Sequence, residues 1–175
     1  MTKTITSSEM NALELNAEYL GVSSLQLMEN AGHAVSLEVA ARFKPSDSVI
    51  VVAGVGRKGG DGFVAARHLA CRGFKVTVVL AGKPEDIVSE NAKKNWESII
   101  RMQDTVKTII VYDSSLISKL DAKVIIDALL GLGVSGPLRP PLLQAVKAIN
   151  KSKAFKVAID LPTGVNPDKD RKSVV

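Results

Sequence analysis

The stretch Val49-Ile50-Val51-Val52-Ala53-Gly54-Val55-Gly56-Arg57-Lys58-Gly59-Gly60-Asp61-Gly62 decides the fold. Four β-branched residues and Ala53 lead into five glycines within nine residues, and the segment from Gly62 to Arg72 then repeats apolar residues at helical spacing. A strand, a glycine-rich turn and a helix in that order open a βαβ unit, which is the context that gives Gly54-x-Gly56-x-x-Gly59 meaning. Glycines there permit positive φ and close approach of backbone to a phosphate, and the helix start offers unpaired amides with a partial positive charge. The two readings are a site for a phosphate-bearing ligand and a purely structural tight turn.

Outward from this unit the pattern repeats. Short apolar runs at Val76 to Leu80, Val106 to Val111, Val124 to Ala128 and Lys156 to Ile159 alternate with predicted helices at Asp86 to Met102, Ser114 to Leu120 and Leu138 to Asn150. Continuously apolar strands separated by helices predict a Rossmann-like, doubly wound α/β fold with a mostly parallel sheet covered on both faces. Ahead of it, Thr6-Ser7-Ser8-Glu9 and Ser23-Ser24-Leu25-Gln26 have capping-box form and predict two helices separated by Gly21. Met10, Leu13, Ala17 and Leu20 give the first an apolar stripe to lay on something, as Leu25, Met28 and Gly32 do the second. The expected organisation is one domain over 1–175: a two-helix extension at 1–45, an α/β core at 46–165, and a mobile polar tail at 166–175.

Composition fits one globular core, with 46% hydrophobic and 23% charged residues among 175. A single cysteine, Cys71, excludes an intrachain disulfide framework and a cysteine-rich zinc site; near a helix end and without an activating histidine, it reads as buried filler. A reducing cytoplasm is the expected compartment, with neither a signal peptide nor a membrane span apparent. The charge of +5 comes from 23 basic and 18 acidic residues interleaved along the chain, and seven scattered aromatics make no stacking platform, so nucleic-acid binding is not expected.

Two common readings of the glycine turn fail. A P-loop ends in Gly-Lys-Ser/Thr, whereas Gly59-Gly60 leads into Asp61. An ordinary dinucleotide dehydrogenase carries an acid at the end of the second strand to hold a ribose; the residues there are Ala81-Gly82-Lys83-Pro84. Two further carboxylates, Asp127 and Asp160, end apolar runs, and each needs a cation, amides or a ligand as partner. In a doubly wound sheet they converge with the glycine turn at one rim, although each alone also suits an Asx-turn. His33 and His68 lie in predicted helices without metal-ligand spacing and read as surface or core residues.

These residues resemble the NAD(P)H-hydrate epimerase family, also called the YjeF N-terminal domain family. The likeness runs from Ser8-Glu9-Met10 through Gly21 and Leu27-Met28-Glu29-Asn30-Ala31-Gly32 to Gly54 to Gly62, then Asp127-Ala128-Leu129-Leu130-Gly131-Leu132-Gly133 and Asp160-Leu161-Pro162-Thr163-Gly164-Val165. The resemblance implies interconversion of the R and S hydrates of NADH and NADPH, the hydrate being substrate rather than cofactor. It implies substrate contacts from Arg57, Lys58, Gly59, Gly60 and Asp61, from Gly131, Leu132, Gly133, Val134, Ser135, Gly136 and Pro137, and from Asp160, which is also the expected catalytic acid/base, its pKa set by partial burial. It implies potassium at the position of Lys58, at Asp127 and at Thr163, a homodimer, and a dehydratase acting in trans or fused.

The chain departs from the family at Arg57-Lys58, where Asn-Asn is usual. A protonated lysine cannot coordinate a cation but its ammonium can replace one, so the expectation is a potassium-independent site in which Lys58 pairs with Asp127. The second departure is length, since relatives continue for further strands. The rival expectation is a non-catalytic nucleotide-binding or assembly module of the same fold.

Overall fold

The computed structural model describes residues 5–117, 119–131, 137–166 and 171–172. Two helices come first, α1 (Ser7–Tyr19) and α2 (Ser24–Ala40), each started by the expected capping box, Thr6 with Glu9 and Ser23 with Gln26. The core follows in the order β1 (Ser48–Ala53), α3 (Arg57–Cys71), β2 (Lys75–Leu80), α4 (Glu90–Arg101), β3 (Val106–Ile110), β4 (Val124–Ala128), α5 (Leu142–Lys151) and β5 (Phe155–Ala158). All four strand pairings are parallel, in the order β3-β2-β1-β4-β5. The chain builds outward from β1 to β3 and then crosses back to place β4 on the other side of β1. The topological switch therefore lies between β1 and β4, where such sheets leave a crevice at their carboxyl ends.

Strand alternation explains why the apolar runs are continuous. Val49, Val51 and Ala53 face one core with Phe63, Val64 and Leu69 of α3 and Trp96 and Ile99 of α4, while Val52 faces a second with Ile125, Val146 and Ile149. Strand β4 is buried throughout, while the edge strands keep exposed residues, Lys107 and Ile110 on β3 and Phe155 and Lys156 on β5. The rings of Phe63 and Trp96 lie 5.3 Å apart and tilted, which joins α3 to α4. Gly62 permits α3 to approach the sheet closely, since a Cβ there would lie 2.6 Å from that of Ala128.

The structure corrects several expectations. Helix α3 begins at Arg57 rather than Gly62, because Gly56 already serves as its N-cap. Among its described residues, the segment predicted helical from Ser114 to Leu120 holds only a 3-10 turn at Ser114–Leu116, capped by Asp113. Helix α4 starts at Glu90 on a Ser89 cap, and α5 starts at Leu142 after Pro140 and Pro141. The apolar stripe of α1 is uncovered: no residue of that helix is buried, and Leu13, Leu15 and Tyr19 are exposed. Cys71 is exposed, not core filler. Part of the polar tail is paired, Val165–Asn166 with Arg171–Lys172 as an antiparallel ribbon; its other residues lie outside those described. Among the described residues no helix is long and apolar enough to cross a membrane.

Candidate active site

The site forms at the carboxyl ends of β1, β4 and β5. The amide of Gly54 donates to the carbonyl of Ala128 (3.0 Å), and Gly54 itself packs on the carbonyl of Leu129, so the glycine turn is seated directly against the end of β4. None of the glycines from Gly54 to Gly62 has positive φ. Gly54, Gly59, Gly60 and Gly62 serve close packing, and Gly59 and Gly60 lie inside α3, both buried. No side chain caps α3 at Gly56, so its first amides are free to meet an anion at the positive end of the helix. Space around Gly56 is open to 4 Å.

Lys58 stands in that first turn. Its ammonium pairs with Asp160 and lies 3.5 Å from Asp61, while its stem runs beside Gly131, where a Cβ would be 2.9 Å from Lys58 Cε. The expected partner, Asp127, is not in its ion-pair shell. Asp127 is satisfied otherwise: Oδ2 accepts the Thr163 amide (2.8 Å), and Oδ1 accepts the Thr163 hydroxyl (2.7 Å) and the Leu129 amide (3.2 Å). The Leu129 amide closes an Asx-turn at the end of β4, and with the Thr163 amide it gives the buried carboxylate the partners it needs.

Asp160 is partly buried, as expected. Its side chain is 44% exposed, and φ is +57°, a left-handed backbone that is strained for a residue with a Cβ and clusters at functional sites. The more buried of the two acids beside Lys58 is Asp61, whose pKa burial raises to about 6 against the opposing pull of the Lys58 ammonium. Burial likewise holds Lys58 below the usual lysine range, opposed by Asp61. Since the folded state binds the Asp61 proton more tightly than the unfolded chain, this group's stabilisation is complete below pH 3.8 and is lost as pH rises through about 6. Asp61→Asn is expected to remove a downward slope of at most about 1.4 kcal/mol per pH unit between those values, read from urea unfolding of variant and wild type side by side.

Arg57 is exposed and reaches back to Glu14 of α1 at 2.5 Å, a tie from the extension to the site that no sequence pattern signalled. Of the second glycine loop, Gly131 lies at the site and Pro137 is exposed, while Leu132, Gly133, Val134, Ser135 and Gly136 fall outside the described residues. Glu29, part of the N-terminal motif, is structural: it binds the Arg67 guanidinium and His68 Nε2 (2.7 Å), joining α2 to α3. Burial pushes its pKa up, but the His68 hydrogen bond and the Arg67 charge outweigh that and hold it below the usual range. His33 stacks on His68 with centroids 4.5 Å apart, so both histidines belong to this helix contact.

The family model for the YjeF-related protein N-terminus matches residues 24–174. This chain belongs to that family. The bifunctional NAD(P)H-hydrate repair enzyme Nnr of Hyperthermus butylicus is 46% identical over 95% of the chain and 31% of its own length. The NAD(P)H-hydrate epimerase of Cenarchaeum symbiosum is 40% identical over 93% of the chain and 75% of its own. The crystal structure of yeast ynu0 superposes with a TM-score of 0.76 at 28% identity, covering 94% of the chain and 72% of that protein. The chain thus spans about a third of the bifunctional relatives and three quarters of the epimerase.

At the position where the family resemblance implies potassium, the residues present offer few free oxygen donors. Lys58 brings three N–H donors and no acceptor. The Thr163 hydroxyl donates to Asp127 and accepts the Leu130 amide (3.2 Å), and both Asp127 oxygens are engaged. The residues present do not fit the ion.

Proposed function

We propose that this chain is an NAD(P)H-hydrate epimerase that works without potassium. One observation carries the reading: an exposed, strained carboxylate, Asp160, is held by the Lys58 ammonium beside the uncapped start of α3, at the switch point of the sheet. The names of its YjeF relatives support the substrate, a dinucleotide hydrate. Its pyrophosphate suits the amides of α3 and Arg57, once Arg57 leaves Glu14. Epimerisation at C6 of the nicotinamide ring requires either loss and return of the hydroxyl or ring opening and reclosure, and both routes move a proton to and from the C6 oxygen. Asp160 is the group proposed to carry it. Lys58 fixes that carboxylate, with Asp61 behind it as a second acid.

Homodimerisation and a reducing cytoplasm belong to the same proposal, supported by the uncovered apolar residues of α1 and the exposed Cys71 thiol. A dehydratase, fused or in trans, is the proposed downstream partner. The test is interconversion of the two hydrates, followed by chromatography in buffers whose only monovalent cation is sodium or potassium. Equal rates in both are expected. Strong activation by potassium would remove the Lys58 assignment, and binding without interconversion would select a non-catalytic module.

A further inference from the structure

The rim of the site extends past β2. There the Gly82 amide donates to the carbonyl of Val111 (2.9 Å), tying this loop to the end of β3, and a Cβ on Gly82 would lie 2.5 Å from Cγ1 of Val55 in the glycine turn. The Val88 amide also donates to the Val55 carbonyl (3.1 Å). The residues after β2 and β3 therefore border the glycine turn directly. Lys83 and Tyr112 stand on this border, both exposed, with the ammonium 6.0 Å from the ring centroid. No described carboxylate lies within ion-pair distance of Lys83, and Asp113 is occupied by the amide and hydroxyl of Ser115. Glu85 and Asp86 follow on the same 3-10 turn, so only Lys83 makes this corner hospitable to an anion.

In a doubly wound sheet, a dinucleotide whose pyrophosphate sits on the glycine turn lays its adenosine ribose over the end of the second strand. An acid there accepts from a free 2′-hydroxyl, whereas a cation accommodates a 2′-phosphate. This chain has no acid from Ala81 to Pro84 and a lysine in the middle. We propose that Lys83, with the face of Tyr112 beside it, is the subsite for an adenosine 2′-phosphate, so that the chain selects the hydrate of the phosphorylated dinucleotide over that of the unphosphorylated one. The inference rests on the epimerase reading for its substrate and on the rim geometry for its position.

Calorimetric titration of the full chain with adenosine 2′,5′-bisphosphate and with 5′-AMP tests the subsite without turnover. The bisphosphate is expected to bind tighter by about tenfold or more, the scale of a charge-assisted contact. Lys83→Ala should abolish that preference while leaving 5′-AMP affinity and the melting temperature unchanged, and Lys83→Arg should retain it. In parallel, the ratio of kcat/KM for the NADPH hydrate to that for the NADH hydrate should fall in Lys83→Ala through KM. Equal affinities in the wild type, or a preference that survives Lys83→Ala, would overturn the proposal. Preference for the bisphosphate in a protein that interconverts neither hydrate would remove the epimerase reading and leave the subsite standing.

Discussion

Asp160→Asn is expected to lower kcat/KM for hydrate interconversion by about 10² to 10⁴, the usual contribution of a positioned acid/base, while leaving folding intact. The change removes proton-carrying capacity and little else. Asparagine has nearly the same shape and tolerates the left-handed backbone that position 160 adopts. Lys58 keeps Asp61 as a partner, so no buried cation is orphaned. The measurement is the initial rate from a single epimer, with a thermal melt and a binding titration on the same preparation. Unchanged melting with a near-normal rate would show that Asp160 only shapes the site, and the proton carrier would have to be sought at Asp61.

Gly59→Ala is expected to cost more than about 3 kcal/mol of stability, in the range reserved for steric conflicts that cannot relax. A Cβ at 59 would strike the carbonyl oxygen of Gly54, so both sides of the clash are backbone, one in α3 and the other in the turn that feeds it. Separating them lifts α3 from the end of β1 and breaks the seat of Gly54 against Leu129. Gly56→Ala is the matched control: the same turn, φ of −93° and nothing within 4 Å of the new methyl, hence a loss of under about 1 kcal/mol. Urea midpoints of the two variants should differ widely. Equal midpoints would mean that the glycines are there for the ligand rather than for packing.

The contrast between these glycines shows what the sequence could and could not say. Continuous apolar runs, helical spacing and capping boxes make β1 to β5 and the two capped helices legible, because run composition and capping chemistry are written in the local sequence. The glycine turn is legible from its spacing, but spacing does not say which glycine property each position uses: positive φ is one and close backbone approach is another, and the second depends on what lies across the sheet. Asp127 and Asp160 were legible as carboxylates needing partners. Which partner each found was not, since Lys58 has Asp61 one turn away in α3 as well as Asp160 at the end of β5, and only tertiary placement turns it from Asp127. The exposure of Cys71 and of the α1 stripe escaped for the same reason, as apolar spacing shows that a helix has a face without showing that anything covers it.

Catalysis of hydrate interconversion by the crevice at the β1–β4 switch is the proposal on which the others depend. Its most direct test starts from one chromatographically pure epimer of NADPH hydrate in potassium-free buffer and follows the other epimer by proton NMR. Prompt equilibration is expected with the wild-type chain, and equilibration slower by about 10² to 10⁴ with Asp160→Asn. A wild-type sample that binds the hydrate yet equilibrates it no faster than buffer alone would contradict it.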